Sequence, residues 1–153
     1  TSLDVLEHVP APMRKGFIAE QLRVSGGRTV LCCPHGGPEH VAAEAEIHAW
    51  YRDLTGEDHP WLVEHAQNGL PTLEELEEAL AGHDGPLRFA FHGDFREVDA
   101  QFRRIVLARH RHRPGDVLGF AAFRLPYRPR TELGDTPSPY ANRVFVIADA
   151  ARS

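Results

Sequence analysis

The feature that most constrains the fold is an unbroken apolar segment, Thr29–Cys33, between two helical patterns. A strand without polar alternation is typical of a parallel sheet that helices cover on both faces. Apolar residues from Met13 to Leu22 recur at helical spacing and predict a helix over Pro12–Ser25, which Gly26 ends. A second helix is predicted from Pro38 to about Leu54. We therefore predict an α/β fold in which Thr1–Pro10 contains the end of an earlier strand.

The sequence as a whole predicts a single domain over residues 1–153, and it contains no repeats. Thr72 and Glu75 form a capping-box pattern that opens a short helix, and His59–Pro71 is predicted to be a connection. Two further strands are predicted, and we expect them to form an antiparallel pair at the edge of a mixed sheet: Leu87–Phe91 and Arg143–Ala148. A helix is predicted between them to about His112, followed by a Gly- and Pro-rich loop over Gly115–Tyr140.

Composition narrows the class of protein and its partners. The 153 residues are 42% hydrophobic and 25% charged, as in ordinary globular domains. A net charge of −5 gives no reason to expect nucleic acid or an anionic membrane as a partner. No apolar run approaches the roughly twenty residues of a membrane span. The two cysteines, Cys32 and Cys33, are adjacent in an apolar strand and point to opposite sides, so we predict free thiols and a cytoplasmic location.

The opening segment, Leu3-Asp4-Val5-Leu6-Glu7-His8-Val9-Pro10, resembles the exit of the fourth strand in class I S-adenosylmethionine-dependent methyltransferases. These enzymes commonly have a Val-Leu-Glu-His-Val-type sequence there, followed by a helix and a fifth strand. His59–His65 with Asn68–Pro71 is similar to a bacterial subgroup that is often associated with sugar or glycan biosynthesis. The resemblance implies a partial Rossmann-like fold and methylation of a small molecule or sugar.

The sequence departs from this family in its glycines. The family holds the methionine and ribose of its cofactor with a glycine-rich loop after strand one and an acidic residue after strand two. Gly26-Gly27 and Gly36-Gly37 do not form that spaced fingerprint. We therefore expect the chain to be the part from strand four to strand seven, without the N-terminal glycine-rich part. We expect it to lack most of the S-adenosylmethionine site and to be inactive alone.

The resemblance also implies roles for individual residues. Residues that leave strand four lie beside the cofactor in this family, so Leu3, Asp4 and Val5 are candidates for contacts with S-adenosylmethionine. His8 is the candidate catalytic base, because imidazole titrates near neutrality. The alternative is that Glu7 and His8 only cap the following helix. His35, after the next strand, either faces the acceptor substrate or is a turn residue.

Two other functions remain open from the residues alone. His40, Glu44 and His48 recur four apart on one helical face, with His35 just upstream, as a metal-dependent hydrolase would require. A solvated polar face explains the same residues, and their order differs from the established helical zinc motif, so we predict no metal site. The third interpretation is a non-catalytic remnant that forms homo-oligomers through an exposed sheet edge at Leu3 or pairs with its missing half.

Overall fold

A computed structural model describes residues 1–111 and 132–151, with isolated positions 115, 118 and 121 between them. The elements in chain order are β1 (Ser2–Leu3), a single 3₁₀ turn (Leu6–His8), α1 (Ala11–Ser25), β2 (Arg28–Pro34), α2 (Pro38–Thr55), α3 (Pro60–Asn68), α4 (Leu73–Leu80), β3 (Leu87–His92), α5 (Phe95–Arg111) and β4 (Arg143–Asp149). The prediction of an α/β fold is confirmed. The predicted loop Gly115–Tyr140 lies mostly outside the described residues.

The four strands form an open mixed sheet in the order β1-β2-β4-β3. β1 is parallel to β2, with Ser2 opposite Leu31 and Leu3 opposite Cys32. β4 is antiparallel to both β2 and β3, so the predicted antiparallel pair is confirmed, with β3 outermost. Within the described part of the chain, β1 has a strand neighbour on one side only. The interior position of Thr29–Cys33 explains its unbroken apolar character.

The core lies between one sheet face and helices α1 and α4. Alternation along the strands places Leu31 of β2 and Val144 and Val146 of β4 on this face, where they pack with Ile18 of α1 and Leu76 of α4. The thiols of Cys32 and Cys33 are buried and free, and burial raises the pKa of both, that of Cys32 to about 11. None of the described helices is long and apolar enough to cross a bilayer.

Two local predictions need correction. Residues 60–68, predicted to belong to a connection, form helix α3, because Pro60 supplies a favourable first helical residue and Gly69 ends the helix. Met13, predicted on the apolar side of α1, is 63% exposed. Arg14 is buried in its place, because its guanidinium finds hydrogen-bond partners inside the protein. The capping box of Thr72 and Glu75 is confirmed, with both reciprocal bonds formed.

Candidate functional site

The exit of β1 is a tight turn at Asp4. Its φ of 55° lies in the left-handed region, which Asp tolerates better than most residues. The Asp4 N–H donates to the Cys32 carbonyl over 2.9 Å, and its carboxylate accepts a hydrogen bond from Arg143 at the start of β4. The turn sends the chain from the edge strand into the 3₁₀ turn at the carboxyl end of the parallel pair. Ligands bind at this end of open α/β sheets.

His8, the predicted base, makes a long-range contact rather than a cap. Its Nδ1 lies 2.9 Å from Glu64 Oε2 on α3. The N-cap residue of α1, Pro10, makes no side-chain cap, whereas the Glu7 carboxylate hydrogen-bonds to its own backbone, so the local alternative for Glu7 and His8 stays a prediction. A carboxylate only accepts hydrogen bonds, so Nδ1 is the protonated nitrogen and Nε2 is left as an acceptor. The His8 side chain is 34% exposed, which leaves it accessible to a ligand.

Glu7 and His65 lie beside His8. One donor atom from each of these three residues lies within 4.8 Å of the other two, and we call them the Glu7–His8–His65 cluster. The rings of His8 and His65 are 5.5 Å apart between centroids. His65 Nδ1 lies 3.1 Å from Glu44 Oε1 on α2. Burial lowers the pKa of His65, but its hydrogen bond with Glu44 and the nearby carboxylates outweigh burial and leave that pKa raised.

Glu7 is the only acidic residue of the cluster and is 2% exposed. Burial raises the pKa of its carboxyl group, although a hydrogen bond from its own backbone opposes the shift. Within the described residues, Glu7 Oε2 has no hydrogen-bond partner. A buried polar oxygen without a partner costs about 1–3 kcal/mol. An unpartnered buried oxygen of this kind is unusual in a well-packed protein.

Arg14 ties together the two segments that bear the cluster. Its Nε donates to the carbonyl oxygens of Leu6 and Val9, over 3.1 and 3.0 Å, around the 3₁₀ turn. One terminal nitrogen donates to the carbonyls of Asn68 and Gly69 at the end of α3. The other lies 3.1 Å from Glu75 of the α4 capping box. The guanidinium therefore holds the 3₁₀ turn, α3 and α4 in one arrangement.

A pocket of about 250 Å³ opens next to the cluster, between α2, α3 and α5. We call it the α2–α3–α5 pocket. Its lining includes Pro34 at the end of β2 and Arg143 at the start of β4. The pocket therefore lies at the carboxyl end of β2. Its polar lining comprises His40, Glu44, His59, His65, Asp99, Asn142 and Arg143. His65 therefore belongs both to the pocket and to the cluster.

Burial shifts the pKa values of two of the polar groups in the pocket, Asp99 and His40. Burial raises the pKa of Asp99 to about 6, and the charge of Glu44 adds to the shift. Burial lowers the pKa of His40, whose Nδ1 lies 2.9 Å from the His35 carbonyl and whose ring stacks on Phe95. Titratable groups with shifted pKa values in a concave pocket are typical of a binding or catalytic site.

The structure separates the predicted hydrolase ligands. His40 Nε2 lies 4.0 Å from Glu44 Oε1, but Glu44 is hydrogen-bonded to His65 and His48 faces Asp58 at 3.1 Å. In the described part of the chain the only group with metal-ligand spacing is the Glu7–His8–His65 cluster. The predicted set of His35, His40, Glu44 and His48 therefore does not converge.

His35 occupies the turn after β2. Its N–H donates to the Asn142 carbonyl over 3.0 Å, and its carbonyl faces the His40 ring. Its own ring packs edge-on against Phe91. Gly36 follows, with its N–H 2.8 Å from the Pro71 carbonyl. These contacts fit a residue that shapes the turn, and its role towards a substrate stays a prediction.

Sequence reasoning missed the partners of His8. His65, Glu64 and Glu44 lie 36 to 57 positions further along the chain, and only the packing of α3 against the 3₁₀ turn brings them to the exit of β1. The one available signal was the concentration of histidines, ten in 153 residues. Spacing within a single helix pointed to the wrong group.

Comparisons with known proteins give no identification. No family model, curated protein or solved structure matches the chain. The functional interpretation therefore depends on the geometry of this site and on the residues that carry the resemblance.

Proposed function

We propose that this chain is the strand-four-to-strand-seven part of a class I S-adenosylmethionine-dependent methyltransferase that acts on a small molecule or sugar. The main support is the position of Arg143. This residue lines the α2–α3–α5 pocket and also binds Asp4 at the exit of β1. The pocket that we propose for the acceptor therefore lies next to the segment that resembles the cofactor-binding strand exit of the family.

The strand arrangement supports the same proposal. The segment that resembles strand four is parallel to the next strand, with a helix between them. A long helix follows, and the late strands form the antiparallel pair that the resemblance implies. The pocket of about 250 Å³ suits a small acceptor such as a single sugar ring.

The exit of β1 fits only part of S-adenosylmethionine. Leu3 is 55% exposed and Val5 is half-buried, so both offer apolar contact beside the strand end. The Asp4 carboxylate is already paired with Arg143. Residues that would hold the ribose and the methionine carboxylate in this family are those of the glycine-rich loop and the second-strand acid, and the 153 residues contain no such fingerprint. A weak, partial cofactor site is therefore expected from this chain alone.

The chain's own residues would position the acceptor and remove its proton. Bound S-adenosylmethionine would supply an electrophilic methyl group, and in-line transfer chiefly requires that the nucleophile be held in line. The pocket walls exclude water and orient the acceptor. His8 Nε2 would be the proton acceptor, because Glu64 orients the other ring nitrogen as a donor. His65 lines the pocket, and its ring centroid lies 5.5 Å from that of His8, so it connects the pocket to the proposed base.

Nuclear magnetic resonance tests the cofactor contact directly. We would titrate ¹⁵N-labelled protein with S-adenosylhomocysteine and follow the amide signals of Leu3, Asp4 and Val5. Because only part of the cofactor is contacted, we expect a Kd of about 1 mM, equivalent to about −4 kcal/mol. Leu3→Asp should abolish the shifts, since it places a charge where apolar contact is needed.

Val24→Asp is the matched control, because Val24 is 57% exposed on α1 and far from the strand exit in sequence. It should leave the titration unchanged. The proposal is refuted if millimolar S-adenosylhomocysteine leaves the Leu3–Val5 signals in place. It is also refuted if Leu3→Asp and Val24→Asp behave alike.

A further inference from the structure

The Glu7–His8–His65 cluster has the donor set of a metal site. Two imidazoles and one carboxylate lie within 4.8 Å of one another. Ligand atoms at about 2.1 Å from a common ion are about 3–4 Å apart, so closing the site requires a convergence of about 1–2 Å. The three donors come from two segments, the 3₁₀ turn and α3, which are in contact.

Both imidazoles are oriented as metal ligands usually are. His8 Nδ1 faces Glu64 at 2.9 Å, and His65 Nδ1 faces Glu44 at 3.1 Å. Each carboxylate accepts a hydrogen bond from the Nδ1–H that faces it, so in the neutral imidazole Nε2 keeps the lone pair that binds a metal. A metal-ligating histidine characteristically donates its other ring N–H to a carboxylate, which fixes the tautomer and raises the basicity of the ligand. The two pairs on this site repeat that arrangement.

A second observation that points to a metal site is the unpartnered carboxylate oxygen of Glu7. Its side chain is 98% buried, and within the described residues Oε2 has no hydrogen-bond partner. Arg14 is also buried nearby but directs its guanidinium to four carbonyl oxygens and Glu75, so it does not satisfy Glu7. A cation between Glu7 and the two imidazoles would satisfy the unpartnered oxygen. Buried charges in proteins are paired or bind metals.

We propose that Glu7, His8 and His65 bind one divalent transition-metal ion, through a carboxylate oxygen and two Nε2 atoms, with at least one coordination position open. The mixed nitrogen and oxygen donors suit Zn²⁺ or Mn²⁺ and disfavour Mg²⁺, which prefers oxygen ligands. Glu44 and Glu64 are positioning residues that orient the imidazoles. In the metal-bound protein, His8 is a ligand and no longer a base.

This site differs from the one that helical spacing indicated. It shares no ligand with the set of His35, His40, Glu44 and His48, and Glu44 acts through His65 instead of binding the ion. One of the three proposed ligands, His65, also borders the α2–α3–α5 pocket. The proposal does not rest on the methyltransferase assignment, because metal binding requires neither S-adenosylmethionine nor an acceptor.

Calorimetric titration of the full chain, purified without a histidine tag and stripped with chelator, tests the site. We expect one equivalent of Zn²⁺ to bind saturably and to raise the Tm, with Mn²⁺ binding less tightly and Mg²⁺ showing no effect. Glu7→Gln and His65→Gln should each lower the Zn²⁺ affinity more than 100-fold. Glu44→Gln changes only an orienting residue and should cost 10–100-fold.

His110→Gln is the matched control, because it removes an exposed imidazole near the end of α5. It should bind Zn²⁺ as the natural chain does. Circular dichroism of each metal-free variant shows whether it is folded, and Glu44→Gln remains informative if a ligand variant does not fold. The proposal is overturned if no saturable equivalent binds. It is equally overturned if Glu7→Gln and Glu44→Gln bind like His110→Gln.

Discussion

Replacing Arg14 should destabilise the protein more than any other substitution on α1. Arg14 is 4% exposed and donates to carbonyl oxygens of Leu6, Val9, Asn68 and Gly69. Arg14→Met keeps much of the aliphatic stem but removes every donor. The Leu6 carbonyl keeps a second partner, the Val9 N–H at 3.1 Å. The other three carbonyls lose a charged donor.

The magnitude follows from these partners. A hydrogen bond to a charged group is worth about 1.5–3 kcal/mol. Partial exposure of the 3₁₀ turn and of the end of α3 reduces that figure for each carbonyl. Glu75 is 42% exposed, so losing its ion pair adds little. We expect a loss of about 4 kcal/mol in the free energy of unfolding, within the 3–5 kcal/mol typical of breaking a buried ionic group. Arg14→Lys should cost about 2 kcal/mol, because one ammonium cannot reach both carbonyl pairs.

Urea denaturation followed by circular dichroism measures the effect. Met13→Ala is the control, since Met13 is the neighbouring residue and is 63% exposed, and it should cost less than about 0.5 kcal/mol. The natural chain and all three variants should share one m-value. A loss below about 1 kcal/mol for Arg14→Met would refute the argument that this guanidinium fastens the 3₁₀ turn to α3.

Two further predictions concern Asp99 in the α2–α3–α5 pocket and Gly36 in the turn after β2. Asp99 has its pKa raised by burial from 3.8 to about 6, so the native state keeps a proton that the unfolded state releases, and stability falls as pH rises through this window. Allowing for partial exposure, Asp99→Asn should be about 1–2 kcal/mol more stable than the natural chain near pH 7.5, with the difference gone below about pH 4; a pH-independent difference would contradict this. Gly36→Ala should cost about 2–3 kcal/mol in urea denaturation, because its Cβ would lie 2.5 Å from the Leu70 carbonyl oxygen. Gly16→Ala, in open space within α1, should instead be neutral or stabilising, and equal losses in the two variants would contradict the clash.

The sheet was predictable from sequence because its signals are local. The apolar segment Thr29–Cys33 and the alternating segment Leu87–Phe91 each indicate a strand, although in β3 the adjacent residues Ala90 and Phe91 are both buried. The capping box at Thr72 could also be predicted from sequence, because its two partners are three residues apart. Helix α3 was missed because it is only nine residues long and contains no buried residue.

The site was less predictable because its contacts are distant in sequence. His8 was identified through a resemblance, but its partner Glu64 is 56 positions away. Glu7 and Arg14 are both buried, which their charge alone would not indicate. Burial of a charged side chain depends on partners that only the tertiary structure supplies. The helical spacing of His40, Glu44 and His48 was real, yet the neighbouring α3 redirected Glu44 to His65.

The position of β4 in the sheet affects how the protein folds during its synthesis. This strand is central in the sheet, with every residue from Arg143 to Asp149 opposite a residue of β2, and it is the last strand in the described chain. Pairings that join segments so far apart close slowly, because a long loop must be ordered first. During synthesis, β2 and β3 therefore wait with unsatisfied backbone edges until β4 emerges from the ribosome. A nascent chain that stalls before Arg143 is, in consequence, a candidate for chaperone capture or aggregation.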